Sequence, residues 1–221
     1  METALSVTEE NYLKAIYKLS LFESNKVSNN AIASLLNINP ASVLEMLRRL
    51  NKKKLISYDK TKGAKLTSAG KIIAIQTIRK HRLWEVFLHE KLGFGWDEVH
   101  EIAEQMEHVQ SRELVERLDK FLGRPKFDPH GDPIPDEHGK FHESDSSILY
   151  SAHPGKEYTI TGVKDSSENL LKYLSKNGLG LGVKLKLNSI ESYDDTLIIS
   201  VDKKTITLSR KVAENLLVKK V

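Results

Sequence analysis

Residues 28–67 read SNNAIASLLNINPASVLEMLRRLNKKKLISYDKTKGAKLT, and the punctuation of this stretch decides the architecture. Ser28 suits the cap of a short helix over 29–36, which would bury Ile32, Leu35 and Leu36. Asn37, Ile38 and Asn39 form the turn. Asn39 then caps a second helix opening on Pro40, whose fixed φ suits the first helical position and whose missing N–H is not needed there. That helix runs to about Lys53 and buries Val43, Leu47 and Leu50 at helical spacing. Its other face carries Ala41, Ser42, Glu45, Arg48, Arg49 and Lys52. Two short strands, 55–58 and 65–67, flank Asp59, Lys60, Thr61, Lys62 and Gly63, giving a hairpin with a basic tip. Helix, turn, helix and basic hairpin together predict a winged helix-turn-helix.

A recognition helix enters the major groove N-terminus first, with polar side chains at base edges and cations on phosphates. Asn39, Ala41, Ser42 and Glu45 are expected at bases, with Ser28 and Pro40 at the helix starts completing the interface. Arg48, Arg49, Lys52 and Lys53 are expected on backbone phosphate, joined by Lys60, Lys62 and Lys65 of the wing. The partner implied is double-stranded DNA.

Upstream, a helix starting near Ser6 or Thr8 shows Tyr12, Ile16 and Leu19 as its apolar stripe and breaks at Asn25 and Lys26. Downstream, a long helix from Thr67 or Ser68 ends at Gly93. Further helices are expected over 97–109 and from Ser111 to Gly123. Residues 124–146, rich in Pro, Gly, Asp and His, have no apolar period and predict a linker or ordered loop. Beyond it, strands are expected at 158–163, 184–190, 196–201 and 205–208, with a helix over 167–175 and a turn at Gly178, Gly180 and Gly182. A small barrel fits this tail.

Charge is unevenly spread. Residues 48–82 hold twelve Lys/Arg against Asp59 alone, whereas residues 97–119 hold eight Asp/Glu against Arg112 and Arg117. A basic block suits phosphate and an acidic block suits a cation. No run approaches the roughly 18 apolar residues of a membrane span, and the opening METALSVTEEN lacks the pattern of a secretion signal. A cytoplasmic protein with no membrane partner is expected. The absence of cysteine excludes disulfides and thiolate metal sites.

Within the helical region, His81 and Glu85 stand at i, i+4, and His100, Glu104, Glu107 and His108 at i, i+4, i+7, i+8. If both segments are helical, each set shares a face. Glu104 and Glu107 would then repel each other without a cation. Imidazole and carboxylate donors suit Mn, Fe, Zn or Co. A hydrolytic zinc site is the rival expectation, but there is no HExxH, nucleophile motif or signature of a small-molecule substrate pocket. The chain is therefore expected not to be an enzyme.

The stretches RKHRLWEVFLHEKLGFGWDEVHEIAEQMEHVQS, NNAIASLLNINPASVLEMLRRLNKKKLISYDKTKGAKLTSAGK and DPHGDPIP resemble the DtxR/MntR family of metal-dependent repressors, in the family's order and over essentially the whole chain. The resemblance implies a mainly α fold with small β parts. Residues 1–70 would form a winged helix-turn-helix domain, 71–144 a helical dimerisation and metal-binding domain with linker, and 145–221 an SH3-like (FeoA-like) β-barrel. It also implies a homodimer that binds palindromic operators of metal-homeostasis genes when loaded with Mn(II) or Fe(II), with two metal sites per subunit. The primary site implied is Asn11, Glu104, Glu107 and His108, with His81 completing it or belonging to its neighbour. Glu104 stands where iron-responsive members tend to have cysteine, which favours manganese. Asn11 stands where manganese members usually have aspartate and iron members methionine. The second site would use Glu85 with His100, or Glu85 with Asp128, His130 and Asp165.

Overall fold

The structure is a computed structural model and describes residues 5–22, 27–61 and 63–221. The expected break at Asn25 and Lys26, and Lys62 of the wing, lie outside the described residues. The chain forms two compact units. One comprises 1–81, 106–112 and 135–140; the other comprises 82–105, 113–134 and 141–221.

The first unit opens with α1 (Val7–Ser20). Ser6 caps it by accepting from the Glu9 N–H, and the Glu9 carboxylate accepts from the Ser6 N–H. This reciprocal box fixes where the helix begins. α2 (Asn29–Leu36) is capped by Ser28 and α3 (Pro40–Lys52) by Asn39, as their sequences predict. Between them Asn37 takes a left-handed conformation, φ 52°, a geometry its short polar side chain tolerates. Ile32, Val43, Leu47 and Leu50 are fully buried. Leu35 corrects the expectation for α2: it is exposed, and Ala33 is buried instead. The wing is β1 (Ile56–Asp59) paired antiparallel with β2 (Gly63–Leu66), and Val27 bridges to Ala64 beside it.

α4 (Ser68–Leu92) follows. α5 (Val99–Met106) is shorter than the 97–109 expected. Its end tightens into a turn in which Val109 N–H donates to the Met106 carbonyl. Glu107 and His108 therefore leave the helix, and the shared helical face holds only for His100 and Glu104. α6 (Arg112–Phe121) comes next.

The C-terminal region of the second unit contains β3 (Ser147–Ile148), a 3-10 turn at Leu149–Ser151, β4 (Glu157–Val163), α7 (Glu168–Lys176), β5 (Lys184–Ile190), β6 (Leu197–Val201), β7 (Lys204–Leu208), α8 (Arg210–Ala213) and β8 (Leu216–Lys220). The strands form a six-stranded antiparallel sheet in the order β3-β8-β4-β5-β6-β7. Register shifts at Ile160/Gly162 and Leu187/Ser189 bend it. Its core gathers Leu149, Ile160, Leu171, Leu174, Leu187, Ile199 and Val218 around the α7 face. β3, β8 and α8 were not expected from the sequence. Among the described residues no helix is long and apolar enough to cross a membrane.

Candidate metal centres and nucleic-acid interface

In the first unit, the fully buried Glu107 is the hub of a polar cluster. Its Oε1 lies 2.5 Å from Lys14 Nζ, and its Oε2 lies 2.7 Å from His81 Nδ1. His108 Nδ1 lies 2.7 Å from Glu10 Oε2. A carboxylate accepts, so Nδ1 donates to Glu10 and Nε2 is the ring nitrogen left to face a ligand. Gln110 donates to the other oxygen of Glu10 at 2.9 Å, and Lys80 Nζ lies 3.7 Å from Glu10 Oε2. Burial lowers the Lys80 pKa, against the opposing pull of Glu10 and Glu107.

Asn11 Oδ1 and His108 Nε2 of this unit are buried without a hydrogen-bond partner, and Glu107 Oε2 has only the His81 contact. Buried polar atoms are rarely left so, because each forfeits its hydration without replacement. All three belong to residues the family resemblance names as ligands. An amide oxygen, a carboxylate oxygen and an imidazole nitrogen are also the donors a first-row divalent cation takes. The residues present therefore fit the metal.

A second cluster lies wholly in the second unit. Glu85, Asp128 and His130 are buried, and each places one ligand atom within 4.8 Å of the others. Glu85 Oε1 lies 3.6 Å from His130 Nδ1 and 3.2 Å from His100 Nδ1. His100 Nε2 is 3.7 Å from Glu104 Oε1. The two alternative sets from the sequence thus meet at Glu85. His130 Nε2 donates to the Trp96 carbonyl at 2.6 Å, which leaves Nδ1 turned to Glu85.

The 124–146 segment is an ordered loop at this point. Asp128 Oδ1 accepts from the backbone N–H groups of His130 and Asp132, and Val163 N–H donates to the His130 carbonyl. Gly131, at φ +86°, lets the loop lie against β4: a Cβ there would stand 2.2 Å from the Thr161 carbonyl oxygen. Arg82 Nε lies 3.4 Å from Asp128 Oδ2 and its guanidinium reaches Asp132 at 3.1 Å. Burial, with the charges of Glu85 and Asp132, pushes the Asp128 carboxyl up to about 7, against Arg82 and His130. Burial lowers the His130 pKa, but Glu85, Asp128 and the Trp96 carbonyl outweigh it and raise it to about 9. For both groups the neighbouring carboxylates act in the direction that favours the protonated form. Asp165 is placed differently from the expectation: it is exposed, and its two carboxylate oxygens accept from the backbone and hydroxyl of Ser167.

On the reader, Ala41, Ser42, Glu45, Arg48 and Lys52 of α3 are exposed, as are Lys60 and Lys65 of the wing. Ser28 Oγ and Asn39 Oδ1 are taken by the backbone N–H groups of Ala31 and Ala41, so these two residues shape the helix starts. Arg49 is exposed as well, and it also reaches α1. Its Nε lies 2.9 Å from Glu9 of α1, and Lys53 Nζ lies 2.7 Å from the same oxygen. A cavity of about 510 Å³ opens between α1 and α3, lined by Asn11, Tyr12, Ser42, Glu45, Met46 and Arg49 among others.

Residues 4–64 match the family described as "Iron dependent repressor, N-terminal DNA binding domain", and residues 67–136 match "Iron dependent repressor, metal binding and dimerisation domain". The chain belongs to the iron-dependent repressor family. That family is one of DNA-binding transcriptional repressors, not enzymes. Residues 148–220 match the FeoA domain. The chain is 36% identical over 128 residues to the "Iron-dependent repressor IdeR" of Mycobacterium bovis, covering 58% of this chain and 55% of that one, so it spans about half the length of that relative. It is 33% identical over 120 residues to the "HTH-type transcriptional regulator MntR" of Oceanobacillus iheyensis, covering 54% of this chain and 80% of that one. A solved "Manganese-dependent transcriptional repressor complex with manganese" superposes with a TM-score of 0.82 at 30% identity, covering 96% of this chain and 100% of that one.

Several residues of these clusters escaped the sequence. Glu9 and Glu10 look like ordinary first-turn acids, and Lys14 and Lys80 like surface cations, yet all four are buried. The one available signal is placement: Lys14 interrupts the run 12–17, whose other members are all buried aromatic or aliphatic side chains. Arg82 and Trp96, which clamp the DPHG loop, carry no motif at all.

Proposed function

We propose that this chain is a cytoplasmic, homodimeric repressor that binds palindromic operator DNA when loaded with Mn(II). The observation that carries this is a trio of buried metal donors in the same unit as the reader: Asn11 Oδ1 and His108 Nε2, which have no hydrogen-bond partner, and the Glu107 carboxylate. A bound divalent cation would supply positive charge to Glu107 and draw Asn11 of α1 towards the turn after α5. The second cluster, Glu85, Asp128 and His130 with His100 beside it, would hold a further ion.

The chain's own contacts then carry the effect to DNA. α1 is gripped on one side by the recognition helix, through Glu9 with Arg49 and Lys53. It is gripped on the other by the 107–108 turn, through Lys14 with Glu107 and Glu10 with His108. A change in the second grip therefore reaches α3 through one rigid helix. Arg48, Lys52, Lys60 and Lys65 would neutralise phosphates, and Ala41, Ser42 and Glu45 would meet base edges.

Manganese is favoured by a donor set with no sulfur and by the manganese complex named above. Iron is the second reading, on the similarity to an iron-dependent repressor. The exposed apolar side chains Leu92, Phe94, Leu114 and Phe121 of the second unit offer the dimer face. The experiment is operator binding followed by anisotropy under Mn(II), Fe(II) and chelator. Binding that persists unchanged in chelator would refute metal dependence.

A further inference from the structure

We infer that Lys14 is a tethered competitor for the metal, an internal cation that occupies Glu107 and sets how much Mn(II) the protein needs before it loads. This rests on the function proposed above and concerns a residue outside the ligand set.

Lys14 is 6% exposed although lysine is almost never buried without a compelling partner. Its partner is Glu107, the most enclosed carboxylate of the cluster, at 2.5 Å. Lys14 stands three residues after Asn11 on α1, so both side chains leave the same side of the helix. The ammonium is thus brought to the carboxylate that the neighbouring Asn11 and His108 would share with a metal. Around it stand Glu10, His81, His108 and Lys80, so the negative charge of Glu10 and Glu107 is already matched by Lys14 and Lys80.

A buried carboxylate without a counter-charge is strongly disfavoured, which makes Lys14 useful while no metal is bound. The same fact makes it an obstacle. A divalent ion on Glu107 would sit beside a buried ammonium of like charge, so the lysine side chain must withdraw from Glu107 as the ion enters. The free energy of that withdrawal is subtracted from metal affinity, which raises the loading threshold.

The test is calorimetric titration of the full chain with Mn(II), wild type against Lys14→Met and Lys14→Arg, with thermal unfolding read in parallel. Lys14→Met keeps the aliphatic bulk and removes the charge. It should bind Mn(II) about tenfold more tightly, within the ordinary range of coupled binding. Its unfolding temperature should fall without metal and recover on loading. Lys14→Arg, which keeps the charge, should stay close to wild type. Equal or weaker binding by a folded Lys14→Met would overturn the inference while leaving the proposed function intact. Absence of Mn(II) binding by the wild type would overturn both. If Lys14→Met does not fold without metal, refolding driven by added Mn(II) supports the inference, and failure to refold in excess Mn(II) overturns it.

Discussion

At the scale of single residues, Glu9 shows how a terminal acid becomes structural. It caps α1 and holds Arg49 and Lys53 of the recognition helix at once. Burial pushes its pKa up, but Lys53, the Ser6 N–H and Arg49 outweigh this and hold the carboxyl below its ordinary 4.5. A depressed carboxyl stabilises the fold at pH values above the unfolded pKa, and that contribution is lost as pH falls through the folded one. Glu9→Gln should therefore lower stability at neutral pH and flatten the acid limb below about pH 4.5; urea melts at pH 7, 5 and 3 check this. Gly131 gives a second residue-scale expectation. With φ +86° and the Thr161 carbonyl 2.2 Å from a would-be Cβ, Gly131→Ala should cost about 2 kcal/mol or more. It should also disturb the Asp128–His130 turn, seen as weaker binding at the second site in the same calorimetric titration.

At the scale of elements, α3 and the wing divide their cations between two tasks. Arg48, Arg49 and Lys52 are exposed, but Arg49, with the half-buried Lys53, is also paired to Glu9. Arg48→Ala should lower the slope of log affinity against log salt by about 0.9, the value for one phosphate contact. Arg49→Ala should instead weaken the dependence of operator binding on Mn(II), since it cuts the contact from α1 to the reader. A salt titration at saturating and limiting metal separates the two effects. The elements legible beforehand are those defined by local chemistry. Ser28, Asn39 and Pro40 marked two helix starts, and the Gly and Lys tip marked the wing, because caps and turns act over three or four residues. α5 ended three residues early and β8 was missed. β8 is five residues long and exists by pairing with β4 and β3, far away in the sequence.

At the scale of the whole molecule, the proposed assembly is a dimer, since two readers roughly 34–36 Å apart meet successive half-sites of a palindrome. Phe121 is 65% exposed on α6, next to Phe87 and Lys91. Phe121→Asp should convert the dimer to monomer in sedimentation velocity and reduce operator affinity, while metal binding to each chain persists. An unchanged dimer would move the interface elsewhere. Linkage adds a further expectation: operator DNA should tighten Mn(II) binding by the same factor that Mn(II) tightens operator binding.

The amino-acid order alone determined the winged reader, the long helix after it, the strand-rich tail and the donor types available to a metal. Each of these follows from short-range periodicity, capping or side-chain chemistry. Only the tertiary structure decided which charged residues are buried and what they face. Nothing in the sequence marks Glu9, Glu10 or Lys80 as buried, and only the apolar run around Lys14 hints at its burial. Their desolvation, and the pairing that compensates it, arises from contacts such as Lys14 with Glu107, made by residues 93 positions apart.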